Sequence, residues 1–396
     1  MNTVQSDTSS TSRDATFTHS QSALADYTAT IFKSLPRIDQ RNWAHAYLKA
    51  LLVTAGKKSL RQLATAVSRD PSAVQSLRQF VSLSPWDFDE VMAELTRWVG
   101  EYRPAPVWSI GRAVLPKRGD RSVGVHRYFD LSSGRTLNCQ LGLGSFLRVG
   151  TTQVPVDWCL YLPTDWTQDW NRRREGRIPD SVQDLPLWAH TLRLVDRLSA
   201  RTDSRSSVVM VDMSDVPDVE LLLRELAERG CDFVVAVPPQ LAVVPAGEGS
   251  PALLSARTLL LTQGQETAIV SLPDAQASLA QFQTSLVHLA GSSPGRSPSP
   301  VYRLFTEAGR HRTQGPLWLT SLAHHSLAEV RSITALQGGT MAAIRSMERD
   351  FGLLDFEGRS FPGWYHHMAL VSAAYAFQSL HGFASAPSRG MTQRAR

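Results

Sequence analysis

The chain has 396 residues, 42% of them hydrophobic, and can bury a large core in several domains or in one domain with a large insertion. Its apolar runs are far shorter than the roughly 18 residues of a membrane span, and its three cysteines are widely spaced, which argues against a membrane partner, a zinc cage or a disulfide framework. We therefore expect a cytoplasmic protein.

The formal net charge is +5, but residues 31–150 carry 18 Lys and Arg against 9 Asp and Glu. This concentration of positive charge is typical of a phosphate-binding surface, with a solvated basic face as the alternative.

The first quarter of the chain is predicted to be helical. Residues 1–25 are rich in Ser, Thr and Gln and are expected to form a disordered tail, while apolar residues at spacings of three and four predict a helical DNA-binding domain over 26–104. Two short predicted helices over 59–81 have the length of a helix-turn-helix. Such pairs also occur in helical domains that never touch DNA. The side chains that would face a groove are Arg69, Gln75 and Arg78.

Residues 105–237 are predicted to form the first part of an α/β core. The pattern indicates strands at Val107–Val114, Gly124–Asp130, Leu137–Phe146 and Trp158–Leu162, followed by a strand-helix-strand unit that opens with Val208–Asp212. Between these two groups, Arg172, Arg173 and Arg174 stand near Trp166 and Trp170. Cations beside aromatic rings are typical of nucleic-acid end binding, and a solvated basic loop is an equal alternative.

The remaining chain divides into an insertion and a return to the core. Residues 238–325 are predicted to be an insertion and linker, with short strands at Thr258–Thr262 and Ala268–Leu272 and a Pro-, Gly- and Ser-rich run over 291–300. Residues 326–382 are predicted to supply the C-terminal helices of the core, including one helix from Leu327 to Phe351. A tail is expected over 383–396.

Four blocks of sequence carry a resemblance to a known family. They are Trp108–Gly119, Ser122–Tyr128, Pro155–Pro163 and the stretch from Phe351 to His367. From about Arg41 to Phe377 the chain resembles bacterial insertion-sequence DDE transposases with an RNase H-like core and a Tyr-Arg-Glu-Lys signature helix. The resemblance implies an α/β fold in which an RNase H-like mixed sheet is flanked by helices, preceded by an all-helical N-terminal domain and interrupted by a β-rich and loop insertion.

The resemblance also locates three catalytic positions. Such transposases cut DNA with two divalent ions held by three carboxylates. Counting from the matched blocks places the first position on Gly111, the second on Asp212 with Asp215 nearby, and the third on Met341. The Tyr, Arg and Lys of the signature helix would fall on Thr334, Gln337 and Glu348. With one acid of three retained, as a vestigial Asp212, we expect a catalytically degenerate, domesticated member that holds no metal.

The resulting prediction is a transposase-derived protein that binds double-stranded DNA without cutting it. It would act in the nucleoid as a transcriptional regulator or as an inhibitor of transposition, and a homodimer would suit the inverted sites that two-fold proteins usually bind. Arg112, next to the first catalytic position, would place a fixed positive charge where a phosphate would otherwise meet an ion; an arginine that points to solvent is the alternative. The predicted DNA contacts in the core are Arg112, Lys117, Arg118, Arg172, Arg173 and Arg174.

Two other functions remain open on the sequence. The chain could be an active, metal-dependent DDE transposase or endonuclease that uses Mg²⁺ or Mn²⁺, because Mg²⁺ can be held by one or two carboxylates together with substrate phosphates. In that case Asp212 would act with displaced carboxylates from among Asp215, Glu348 and Glu357. It could also be a decayed insertion-sequence relic with no selected function.

Overall fold

The first described part of the protein is a group of five helices. In the computed structural model, residues 21–130, 134–202, 207–247, 252–269, 280–291, 300–307 and 315–384 are described. Ser59 and Asp87 begin two of these helices as N-caps, accepting hydrogen bonds from backbone amides of the first turn. The helices are α1 (21–31), α2 (Ile38–Val53), α3 (Leu60–Val67), α4 (Ala73–Ser82) and α5 (Phe88–Gly100).

These helices share one hydrophobic core with the last helix of the chain, α13 (Phe361–Ala384). Tyr27 in α1 donates a hydrogen bond to the carbonyl of Ala373, at 2.8 Å. Trp86, just before α5, stacks on His366 with ring centroids 3.7 Å apart. The N-terminal helices are therefore packed against the body of the protein, and the predicted boundary at residue 104 stays a prediction.

The central part of the chain forms an RNase H-like sheet. Strand β1 is antiparallel to β3, which is antiparallel to both β2 and β4; on its other side β1 is parallel to β5, and β5 is parallel to β6. Helices follow β4 and β5, as parallel neighbours require. This arrangement confirms the predicted fold class. The elements are β1 (Val107–Pro116), β2 (His126–Asp130), β3 (Arg135–Val149), β4 (Thr152–Leu160), α6 (Thr164–Gln168), α7 (Trp170–Gly176), α8 (Leu187–Arg201), β5 (Val208–Asp212), α9 (Val219–Glu228) and β6 (Asp232–Val237).

The predicted insertion extends this same sheet. Strand β12 is antiparallel to β6, and β11, β10, β7 and β8 continue outward in that order, while β9 pairs with β10. The elements are β7 (Ala242–Pro245), β8 (Leu254–Ser255), α10 (Ala256–Gln263), β9 (Gln265–Ile269), β10 (Ala280–Leu289), β11 (Tyr302–Glu307) and β12 (Leu317–Thr320). Most of the predicted linker over 291–300, and residues 270–272 of a predicted strand, lie outside the described residues.

Two predictions for secondary structure are wrong. The strand predicted at Thr258–Thr262 is the middle of helix α10, because Ser255 caps a helix that buries Leu259 and Leu260 and leaves Leu261 exposed. The single helix predicted from Leu327 to Phe351 is two helices, α11 (Leu327–Thr334) and α12 (Leu336–Asp350). Near the break, Ser332 and Thr334 donate their hydroxyl groups to backbone carbonyls of the same helix, a bonding pattern that weakens and bends helices.

The ends of the described chain are helical. Helix α1 already occupies residues 21–25 of the predicted tail, and α13 reaches Ala384. The remaining residues of the two predicted tails, 1–20 and 385–396, lie outside the described residues. Of the helices in the described ranges, none is both long and apolar enough to cross a membrane.

Candidate functional site

The first predicted catalytic position, Gly111, lies where helix α12 crosses strand β1. A Cβ atom at this residue would be 2.6 Å from Thr340 Cγ2 and 3.0 Å from Ile344 Cδ1, both on α12. A carbon atom at the first of these distances overlaps its neighbour, so any side chain would have to displace the Thr340 side chain or the helix that carries it. Glycine at this position is what allows α12 to lie directly on the strand.

The space beside Gly111 is filled by buried neutral polar side chains. Thr340 Oγ1 lies 2.8 Å from Ser109 Oγ, and Ser109 donates to Gln153 Oε1 at 3.1 Å. All three residues are buried. These hydrogen bonds satisfy polar groups between the strand and the helix, so the local structure is a packed layer.

The second position, Asp212, ends strand β5 next to Gly111, because Ile110 pairs with Val211 in the parallel ladder. Its Oδ1 accepts from the backbone amide of Ser214 at 3.0 Å and from the Ser214 hydroxyl at 2.7 Å. Its Oδ2 accepts from Gln337 Nε2 at 2.5 Å. Both carboxylate oxygens are therefore engaged by neutral donors, and one of these donors comes from α12.

The third position, Met341, is a partly buried residue that packs against the core. Its thioether supplies no oxygen ligand. Glu348 lies on the same helix but 11 residues beyond Gln337, which is about 16 Å along the helix axis. Burial raises the pKa of the Glu348 carboxyl. This separation places Glu348 too far from Asp212 to share an ion with it.

Arg112 points away from Gly111, because successive strand residues face opposite sides of a sheet. Its guanidinium makes two hydrogen bonds to the Asp215 carboxylate, at 2.6 and 2.7 Å, and a third to the Asp212 carbonyl at 3.1 Å. Burial acts to lower the pKa of Arg112, but the hydrogen bonds and the charge of Asp215 outweigh it and raise that pKa. Arg112 and Asp215 thus form a partly buried ion pair behind the end of β5.

The side chains at the three predicted catalytic positions do not supply the ligands that a pair of divalent ions needs. Magnesium prefers several oxygen ligands in near-octahedral order. Here Gly111 and Met341 supply none, and the oxygens of Asp212 already accept three hydrogen bonds. Within the described ranges there is no group of three His, Cys, Asp or Glu side chains arranged to hold a metal ion.

The predicted DNA contacts of the helical region are all exposed to solvent. Arg69 lies in the turn between α3 and α4, and Gln75 and Arg78 lie on α4; all three are exposed. Arg118, which follows strand β1 of the RNase H-like sheet, is exposed as well. Lys117 is different, because its ammonium group donates to the carbonyl of Phe356 at 2.9 Å and burial lowers its pKa to about 8.

The predicted arginine cluster divides into two kinds of environment. Arg172 lies over the ring of Trp166 at 5.2 Å, and Arg174 lies over the ring of Trp170 at 4.7 Å. Arg173 lies between them and donates to three backbone carbonyls, so it fastens the segment after α7 to the protein. Trp170 is 66% exposed, which leaves it free to meet a flat partner.

One charged cluster was not predicted from the sequence. Asp157 in β4 is fully buried and binds two arginines of α8, Arg197 at 2.7 Å and Arg201 at 3.0 Å. Both arginines lie on the same side of the helix, since a spacing of four residues is nearly one turn. This spacing of two arginines was the sequence feature from which the charged cluster could have been predicted.

Comparison with known families places the chain in a class. Residues 30–257 match the family described as DDE superfamily endonuclease. Since this is more than half of the chain, the protein belongs to that family, the class of DDE-type transposases, which act on DNA. The matched range includes Gly111 and Asp212 and ends before α12, so the third position depends on the motif count alone. A search of curated proteins found no match.

Proposed function

We propose that this DDE-family protein binds double-stranded DNA without cleaving it. It would act in the nucleoid as a transcriptional regulator or as an inhibitor that competes with an active transposase for DNA. In this proposal the protein is a catalytically degenerate, domesticated member that requires no metal ion to bind.

The observation that carries the proposal is the packing at Gly111. Helix α12 occupies the space that a carboxylate at this position would need, with Thr340 Cγ2 at 2.6 Å from the site of a Cβ. The same helix supplies Gln337, which donates to the remaining acid, Asp212. Helix α12 therefore both fills the space at Gly111 and forms a hydrogen bond with the carboxylate of Asp212.

The DNA-binding part of the proposal depends on charge and exposure. Residues 31–150 carry a net charge of +9, and the exposed Arg69, Gln75 and Arg78 lie within this range. Such side chains can meet phosphates and base edges when a helix lies in the major groove. Arg118, Arg172 and Arg174 extend the proposed contact surface, whereas Lys117 would contribute fully only below a pH of about 8.

The first experiment selects DNA that the protein prefers. Genomic fragments captured on the purified protein in EDTA would be sequenced, and the affinity for the enriched site would be measured at several salt concentrations. We expect a preferred site bound without metal. Arg78→Ala should weaken binding and reduce the salt slope by about one counterion. Arg257→Ala, which removes an exposed arginine of α10, is the matched control and should leave both unchanged.

The second experiment tests for cleavage. The protein and its Asp212→Ala variant would be incubated with supercoiled plasmid and with the enriched site in Mg²⁺ or Mn²⁺. We expect intact DNA in every reaction and equal affinity of the two proteins. Nicking that needs the metal and disappears in Asp212→Ala would overturn the proposal in favour of an active endonuclease. Failure to enrich any site would instead support a relic with no selected function.

A further inference from the structure

A cavity of about 850 Å³ lies at the end of edge strand β4, apart from the Gly111 and Asp212 region. It is open to solvent and is lined by the start of α5, the middle of α8, the start of α13 and the segment after α7. One wall is aromatic: Phe88 meets Tyr365 edge to face with ring centroids 4.8 Å apart, and Phe361 lies 4.7 Å from the same ring. The volume is that of a small-molecule site, and the wall suits a flat ring.

The floor of this cavity contains a buried imidazole nitrogen that has no partner among the described residues. The backbone amide of Leu160 donates to the Tyr365 hydroxyl, which in turn bonds to Cys159, and Cys159 Sγ lies 3.0 Å from His190 Nδ1. Burial raises the pKa of Cys159 to about 11 and lowers that of His190 to about 4, so both groups are neutral at pH 7. If the thiol donates to Nδ1, the proton of His190 is on Nε2.

His190 is only 2% exposed, and its Nε2 finds no hydrogen-bond partner among the described residues. An unpaired buried polar atom is destabilising, so such an atom usually has a partner that the isolated chain does not supply. Nε2 itself is covered, so it meets a partner in the cavity only after the imidazole turns toward it; in the tautomer with its proton on Nε2 it then donates to an acceptor of hydrogen bonds.

The charge around the cavity favours an anionic acceptor. Arg193, one turn after His190 on α8, contributes to the wall and has no ion-pair partner among the described residues. The acids of the wall are engaged elsewhere: Asp87 caps α5, Asp89 pairs with Arg201, and Asp196 pairs with Arg229. An arginine next to a neutral imidazole N–H is a suitable binding group for a phosphate.

We propose that this cavity binds a nucleoside monophosphate, with the phosphate held by Arg193 and His190 and the base packed against Phe88 and Tyr365. Arginine supplies a bidentate donor for phosphate, and a stacked ring accepts any base. The nucleotide could be free in solution or could be the 5′-terminal nucleotide of a DNA strand, and the two sources share this chemistry. The site goes beyond the proposed DNA binding, because it uses none of the residues proposed for that function.

The test titrates the full-length protein with deoxyadenosine 5′-monophosphate by calorimetry, with deoxyadenosine as the uncharged comparison. We expect binding of the nucleotide and at least tenfold weaker binding of the nucleoside. Arg193→Ala should weaken nucleotide binding at least tenfold. Ser181→Trp, which places a large ring on the exposed rim, should weaken it without touching the floor. A second titration with 5′-phosphorylated and 5′-hydroxyl oligonucleotides tests the DNA source.

The controls separate this site from general attraction to anions. Arg345→Ala removes an exposed arginine of α12 and should leave nucleotide binding unchanged, with thermal unfolding confirming that every variant is folded. Binding of the free nucleotide, or an Arg193-dependent preference for the 5′-phosphorylated strand, supports the proposal and identifies the source. The proposal is overturned if neither probe binds, or if Arg345→Ala and Arg193→Ala weaken binding equally. Either result leaves the enriched genomic site and the cleavage assay unaffected.

Discussion

Two aspartates of the central sheet occupy opposite kinds of environment. Asp157 in β4 is fully buried, forms ion pairs with Arg197 and Arg201, and accepts a hydrogen bond from the backbone amide of Trp158. Asp212 at the end of β5 is only partly buried, and its oxygens accept from neutral groups of Ser214 and Gln337. One carboxylate is balanced by positive charge, and the other is held by uncharged donors.

The difference separates an acid that holds two elements together through charge from one that is held by neutral hydrogen bonds alone. Asp157 joins β4 to α8, and removing it would leave arginine charge in a poorly hydrated place. Asp212 is joined to α12 by a single side-chain hydrogen bond, which Gln337 donates. Loss of this hydrogen bond would expose the carboxylate of Asp212 to water or to a cation. Stability should therefore depend strongly on the first carboxylate and weakly on the second.

The largest expected effect is that of Asp157→Ala. Removing one member of a buried ion cluster costs about 3–5 kcal/mol, because its partners lose their counter-charge. We expect the free energy of unfolding, measured with urea, to fall by about this amount. Asp89→Ala removes the 61% exposed partner of Arg201 and should cost less than about 1 kcal/mol. Equal losses in the two variants would mean that Asp157 has no special structural role.

The next effect is that of introducing an acid at the first predicted catalytic position. Gly111→Asp forces a side chain into the space of Thr340 and should lower the free energy of unfolding by about 3 kcal/mol. Removing the obstructing methyl group in Gly111→Asp with Thr340→Ala should recover part of this loss. The free energies come from urea unfolding of both variants and of Thr340→Ala alone. A Gly111→Asp protein as stable as the natural one would show that the space is not closed, and would remove the main support for the loss of cleavage.

The sequence was sufficient for most strands of the RNase H-like part of the sheet because these strands are local patterns. Val208–Asp212 is a run of β-branched and apolar residues that a buried parallel strand requires, and the structure begins and ends that strand at the same residues. The run Thr258–Thr262 looks similar, yet it is helical because Ser255 caps the helix that contains it. The cap lies outside the five residues of the run, so the composition of the run alone does not reveal the helix. Strand β10 was not predicted, although its polar and apolar residues alternate.

The site was predictable only as positions along the chain. Counting from motifs placed Gly111, Asp212 and Gln337, but no local pattern shows that Gln337 donates to Asp212 or that Thr340 closes the space above Gly111. Both contacts join residues more than 120 positions apart and depend on how α12 crosses the sheet. The orientation of Arg112 toward Asp215 is likewise a tertiary fact. Pairing between distant elements is the information that a single sequence lacks.

The smallest effect tests the Asp212 environment directly. Gln337→Glu replaces the neutral donor by a second carboxylate next to Asp212, so like charges should lower the free energy of unfolding in EDTA by about 1 kcal/mol. Two adjacent carboxylates can hold a hard cation, and a cation that binds only the folded state stabilises it, so thermal unfolding in 10 mM Mg²⁺ should return toward the natural value. Gln337→Met loses the same hydrogen bond without adding charge and should show no response to Mg²⁺. If the Gln337→Glu protein unfolds in EDTA at the same temperature as the protein without the substitution, Asp212 lies in open solvent, out of contact with α12. The contrast between Asp157 and Asp212 would then be one of exposure alone.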